Sequence, residues 1–211
     1  AFGKTDATEL SNLGKYGAKK VLHVADDRFN TGIIQAYASA LSKIMEDEKA
    51  DVLVLANSSL GTPVAARVAV KINAGLVSNV IDLPKTDSGF LVKKSIYTGK
   101  AFAQMELTTP KKVIAIKKNA ADIKEVGAPV SVTPYPVTVN EKDFAVVITH
   151  SEKATGEVLL PEAEVVVSGG RGMKGPEHWG VLEELASTLG AATGCSKPVS
   201  DMGWRPHHEH V

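Results

Sequence analysis

Apolar and polar positions along this chain fall into a repeating order of strand, turn and helix. Lys19 to Ala25 gathers Val21, Leu22 and Val24 into a short run that predicts a strand. From about Thr31 to Lys49, Ile33, Ile34, Tyr37, Leu41, Ile44 and Met45 recur at spacings of three and four, which predicts an amphipathic helix. Asp51 to Ala56 is a near-continuous apolar run of the kind found in strands buried on both faces. Asn57 to Gly61 reads as a turn. Thr62 is then expected to cap a second helix, with Pro63 at its first position and Val64, Val68 and Ile72 along one side. Strand, helix, strand, helix implies a right-handed parallel α/β layer.

The middle of the chain changes character. Phe90 to Tyr97 and Ala101 to Leu107 are two short strands around Thr98-Gly99-Lys100, a predicted hairpin. Lys112 to Lys117 is a further strand of the buried type. Pro129 to Val139 holds three prolines and reads as extended, at a sheet edge. Thr149 to Glu157 is polar and turn-rich, the candidate linker. The pattern then restarts with a strand over Ala163 to Ser168, a glycine loop, and a helix over Pro176 to Ala192. Val181, Leu182, Leu185 and Leu189 are expected to face inward from that helix.

Composition narrows the possibilities only a little. Lysine plus arginine numbers 24 and aspartate plus glutamate 24, so no global field favours nucleic acid or an anionic membrane. No apolar run approaches the roughly 20 residues that span a bilayer. The single Cys195 has no internal disulfide partner, which fits a reducing compartment. The start at Ala1 and the stop at Val211 read as those of a piece of a longer protein.

Residues 170–175 spell Gly170-Arg171-Gly172-Met173-Lys174-Gly175, a G-x-G-x-x-G loop between a valine-rich strand and a predicted helix. Glycines there admit positive φ and let an anion approach backbone N–H groups, while Arg171 and Lys174 add charge of the right sign. A nicotinamide site would also need a second strand ending in Asp or Glu about 20 residues on. The corresponding stretch, 194–201, has Lys197-Pro198 interrupting the strand and only Asp201 as its acid. A nicotinamide loop, a loop for another nucleotide or a flavin, and a ligand-free turn all stay open at this point. Ser196 and Lys197 follow the unit where α/β proteins place ligand-contacting groups. A lysine beside an electron-accepting ring favours its reduced, anionic form.

Three further groups are weaker. Asn57 to Thr62 could offer hydroxyls and N–H groups to an anion at a helix start, as in a non-redox nucleotide-binding or assembly module, but capping by Thr62 explains them. His207, His208, Glu209 and His210 could ligate zinc, yet adjacent residues in a loop rarely converge on one tetrahedral ion. Cys195 lacks a second cysteine or a histidine partner that would make it a redox thiol.

Val165 to Gly175, the helix Leu182 to Gly190, and Ala191 to Trp204 together closely resemble the alpha subunit of electron transfer flavoprotein. Asp51 to Asn57, Gly61 to Ala69 and Tyr97 to Met105 agree, so the resemblance covers nearly the whole chain. It implies an α/β fold: a mostly parallel three-layer domain of adenine nucleotide alpha hydrolase type over 1–155, then the beginning of a doubly wound FAD-binding domain over 156–211. It also implies a cofactor, FAD, and a beta-subunit partner that carries a structural AMP. The implied role is electron carriage from dehydrogenases, acyl-CoA dehydrogenases among them, to a quinone oxidoreductase. There is no substrate turnover of its own. The expected place is the cytoplasm of a bacterium or the mitochondrial matrix of a eukaryote. Carried over by position, Gly170, Arg171 and Gly172 touch FAD, Ser196 lies beside the isoalloxazine, and Val211 opens a further cofactor-contacting segment. Lys197 stands where many members have arginine over the flavin. It keeps the charge and loses the planar fork. The family's usual first strand would precede Ala1, and its remaining FAD segments would follow Val211.

Overall fold

A computed structural model describes residues 1–150, 160 and 163–211. The predicted linker lies outside the described residues from position 151 onward. Two compact units divide the chain, Ala1–Thr149 and His150–Val211.

In the first unit the sequence pattern becomes a mixed sheet with helices on it. Strands β1 (Val21–His23), β2 (Val52–Ala56), β3 (Gly75–Val80), β4 (Leu91–Ile96), β5 (Ala101–Glu106), β6 (Lys112–Ile116) and β7 (Val132–Pro134) form two sheets. The larger has the order β2-β6-β3-β4-β5. Its β2, β6 and β3 are parallel, whereas β4 and β5 form the predicted antiparallel hairpin. The smaller pairs β1 with β7 in parallel, so the proline-rich segment does supply an extended strand.

β6, not β2, is the strand buried on both faces. Val113 and Ala115 join one core cluster and the intervening Ile114 joins another, and all three have 0% exposure. The Asp51–Ala56 expectation is corrected here, because β2 ends the sheet order. Its Leu53 and Leu55 pack inward while Val52 and Val54 are exposed.

Helix α1 (Ala7–Asn12) is capped by Asp6. Helix α2 (Ile34–Asp47) packs against helix α3 (Gly61–Lys71), which lies on the main sheet. α3 lies against β2, β6 and β3 and buries Val64, Ala65, Val68 and Ala69. Each fully buried valine there contributes about 1.5–3 kcal/mol of transfer free energy. α2 is buried on two sides: Ala38 joins the α3 cluster, and Ala36 and Ala40 join a second one around Val24, Phe29 and Ile33.

The start of α3 differs from expectation. Gly61 is its first residue, and the Thr62 amide already donates to the Ser58 carbonyl at 3.0 Å. Helical bonding therefore begins too early for Thr62 to be the cap or for Pro63 to hold the first position. Leu60 holds the cap position without a side-chain capping bond, and Ser58 Oγ accepts from the Gly61 amide at 2.9 Å.

The second unit is smaller. Strands β8 (Val166–Gly169) and β9 (Ala192–Cys195) run parallel and are joined through helix α4 (Gly180–Leu189). A 3-10 turn, Pro176–His178, precedes α4, and Gly190 at φ 61° ends it. The expected single helix over Pro176 to Ala192 is thus shorter, and its last predicted residue opens β9. Its inward face is also not the predicted one. Trp179 and Ala186 are buried and Leu182 is half-buried, but Val181, Leu185 and Leu189 are exposed. Two strands cover one side of a helix, and these three residues lie off that side. Helix α5 (Lys197–Asp201) completes the unit, so Lys197-Pro198 opens a helix rather than interrupting a strand.

Candidate functional site

The two parallel strands bring the glycine loop and Ser196 to one place. Gly169 pairs with Cys195, the last residues of β8 and β9, and the Ser196 amide donates to the Gly169 carbonyl at 3.0 Å. A side-chain carbon added at Gly170 would stand 3.8 Å from Ser196 Oγ. Both loops therefore leave the sheet side by side at its carboxyl end, where open parallel sheets receive ligands.

A third segment arrives there. His210 bridges Cys195 in parallel, and the Val211 amide donates to the Cys195 carbonyl at 3.0 Å. Gly170, Arg171, Gly172, Ser196, Lys197 and Val211, all singled out from sequence, are thus gathered at one sheet end.

The loop's own geometry departs from the glycine argument. Residues Arg171–Met173 form a 3-10 turn, and the only positive φ in the loop is that of Lys174, at 67°. Gly170 has φ −122° and Gly175 φ 175°, both open to any residue. What demands glycine is packing: a side-chain carbon at Gly169 would meet Leu182 Cδ1 at 2.5 Å and Trp179 Cη2 at 2.8 Å. At Gly172 the same carbon would meet nothing within 4 Å, so the loop's crest is open.

Arg171, Lys174 and Lys197 are exposed. Lys197 Nζ lies 3.5 Å from Asp201 one helical turn on, an exposed pair of small worth. Ser196 is the N-cap of α5, yet its side chain makes no capping bond. Three cations, exposed loop backbone and an uncommitted hydroxyl suit an anionic ligand with phosphates. β9 ends at Cys195 and is followed by Ser196, not by an acid, and Asp201 sits on α5. The ribose-binding carboxylate of a nicotinamide site is not supplied.

The weaker candidates resolve simply. Cys195 is fully buried, and burial pushes its thiol up, which makes it a packing residue. Glu209 is committed to Arg205 rather than aligned with the histidines. At the Ser58 turn the hydroxyl is taken by Gly61, and Thr62 donates to Asn57. Sequence reasoning missed Arg205 and Trp179. Opposite charges at Arg205 and Glu209, four apart, were the available signal for the first. For Trp179 the available signal was its place three residues before Leu182 and seven before Ala186, on one helical stripe.

Fold and loop define an α/β protein whose smaller unit opens as a strand–glycine loop–helix–strand device. Residues 1–158 match the electron transfer flavoprotein domain, and residues 159–211 match the electron transfer flavoprotein FAD-binding domain. The chain belongs to the electron transfer flavoprotein alpha-subunit family. It is 32% identical over 201 residues to "Electron transfer flavoprotein subunit alpha" of Bacillus subtilis (strain 168), covering 95% of this chain and 62% of that one. The protein of the same name from Syntrophomonas wolfei is 32% identical over 214 residues, covering 100% of this chain and 67% of its own length. "Protein FixB" of Escherichia coli O127:H6 is 29% identical over 211 residues, covering 98% and 66%. This chain therefore spans a little under two thirds of the Bacillus relative.

Proposed function

We propose that this chain is the N-terminal domain and the opening of the FAD-binding domain, divided at 155/156, of an electron carrier that works as a heterodimer with a beta subunit. The observation that carries the reading is the convergence of the glycine loop, Ser196-Lys197 and Val211 at one sheet end in a chain of this family. FAD, when bound, supplies the redox chemistry. Arg171 and the loop amides hold its phosphates. Ser196 offers a hydroxyl to the ring edge, and Lys197 favours the reduced, anionic ring by Coulomb attraction.

In this role the protein accepts electrons from dehydrogenases, such as those acting on acyl-CoA, and passes them to a quinone oxidoreductase without a substrate of its own. Its place is the bacterial cytoplasm or the mitochondrial matrix. No described helix is long and apolar enough to cross a membrane. The test is to purify the complete gene product together with its beta partner. Flavin absorbance at one FAD per heterodimer is expected, and a colourless complex that ignores added FAD sinks the reading.

A further inference from the structure

Arg205 is the most heavily bonded side chain near the candidate site, and none of its bonds belongs to the site's own chemistry. Its guanidinium forks onto Glu209, with Nε to Oε2 at 2.8 Å and Nη2 to Oε1 at 2.9 Å. Nη1 donates to Glu183 Oε1 of α4 at 2.7 Å, and the group lies 5.8 Å from the Trp179 ring centroid. Glu209 is only 7% exposed and also receives Thr193 Oγ1 of β9 at 3.4 Å. One side chain thus joins α4, the loop after Gly203 and, through Glu209, the strand β9. The joined segment is Pro206–His210, whose next amide, that of Val211, rests on the Cys195 carbonyl beside Ser196.

We propose that Arg205 and Glu209 are positioning residues that hold Val211 at the carboxyl end of β9 as the third wall of the site, an inference that rests on the flavin reading above. Residues 206–211 include only a 3-10 turn, His207–Glu209, and a single bridge, Cys195 to His210. So short an element does not fix its own place. The fork does, because a bidentate arginine–carboxylate pair sets both distance and orientation. Without Arg205 the closed segment would hold Glu209 as a buried carboxylate with no cationic partner, a cost that opening relieves by hydrating it. The pair, with its bonds to Glu183 on α4 and Thr193 on β9, keeps the closed arrangement populated.

The test is amide hydrogen exchange in the full chain, without cofactor, for wild type, Arg205→Met, Arg205→Lys and the double variant Arg205→Met/Glu209→Met. Arg205→Met is expected to speed exchange across residues 204–211 by on the order of a hundredfold while the β8–β9 amides keep their protection. Arg205→Lys, which retains charge without the fork, is expected to lie between. The double variant removes the stranded carboxylate, so the unit folds, yet 204–211 is expected to stay unprotected. Unchanged exchange in both methionine variants, or full protection restored by the double variant, overturns the proposal. So does a uniform loss of protection across the unit in the double variant, which would mark a merely structural pair. A parallel FAD titration of the complete heterodimer separates the two readings. Wild type that takes no FAD fails the flavin reading alone. Arg205→Met that loosens 204–211 but binds FAD as wild type does overturns the third-wall role.

Discussion

Gly169, which directly precedes the motif, is required by packing, whereas Gly172 within it is not. The missing side chain of Gly169 leaves room for Trp179 and Leu182 to lie on the strand end, with contacts that a methyl group would compress below 3.0 Å. Gly169→Ala is therefore expected to destabilise the second unit by about 1–3 kcal/mol through overpacking. Gly172→Ala, which meets open space, is expected to leave stability unchanged; chemical denaturation of the pair checks the contrast. Arg171 makes the opposite kind of contribution. It is exposed, so Arg171→Ala is expected to leave the fold alone. In the heterodimer it is expected to weaken FAD by tenfold to a hundredfold, the ~1.5–3 kcal/mol of a hydrogen bond to a charged group. Wild-type affinity in that variant, read by flavin fluorescence, would remove Arg171 from the site.

At the scale of elements, side-chain bonds tie segments that are far apart in sequence. Tyr135, just after β7, donates its hydroxyl to Asp47 at the end of α2, where Lys43 also pairs. The bond to Asp47 pushes the Tyr135 phenol up to about 12 from its ordinary 10.0. A raised phenol stabilises the fold fully below its unfolded value, and that contribution is lost as pH rises through about 12. Asp47 shifts the other way, held down first by Lys43 and then by Tyr135. Its contribution is present above the usual aspartate range and lost as pH falls through the lowered value. Asp47→Asn is expected to return Tyr135 to the ordinary tyrosine range in a spectrophotometric titration, and an unmoved phenol would show that the bond is not formed in solution.

The same scale shows what the sequence could and could not reveal. The two long helices of the first unit, the hairpin around Gly99 and the restart at Val165 were legible, because periodicity follows from local burial. β3 and the short helices α1 and α5 were not. Nor was it legible which strand is central. Asp51–Ala56 is a more apolar run than Lys112–Lys117, and only the sheet order makes it an edge. The alanines Ala36, Ala38 and Ala40 carried no signal, since a small side chain marks close helix packing only when its neighbour is known. The glycine loop and Ser196-Lys197 stood out by spacing and place, and Val211 was named through the family resemblance alone. That Val211 meets them depends on the Arg205–Glu209 pair, whose burial the sequence does not state.

For the whole molecule, the division into two compact units sets what this chain does by itself. The first unit has sheets, three helices and three apolar clusters, enough for a cooperative core. The second has a two-stranded sheet and one small cluster around Trp179, Cys195 and Val199. A cofactor the size of FAD is held when most of its surface is enclosed, roughly 70–90% for ligands in pockets. The second unit offers two strand ends and one bridged segment, all on open loops, in a chain that spans 62% of its Bacillus relative. Weak FAD binding, or none, is therefore expected of the 211-residue chain purified alone. The complete gene product with its beta partner is expected to keep the flavin through gel filtration. Stoichiometric flavin on the isolated chain would mean that the three segments at the carboxyl end of β8 and β9 form a sufficient site by themselves.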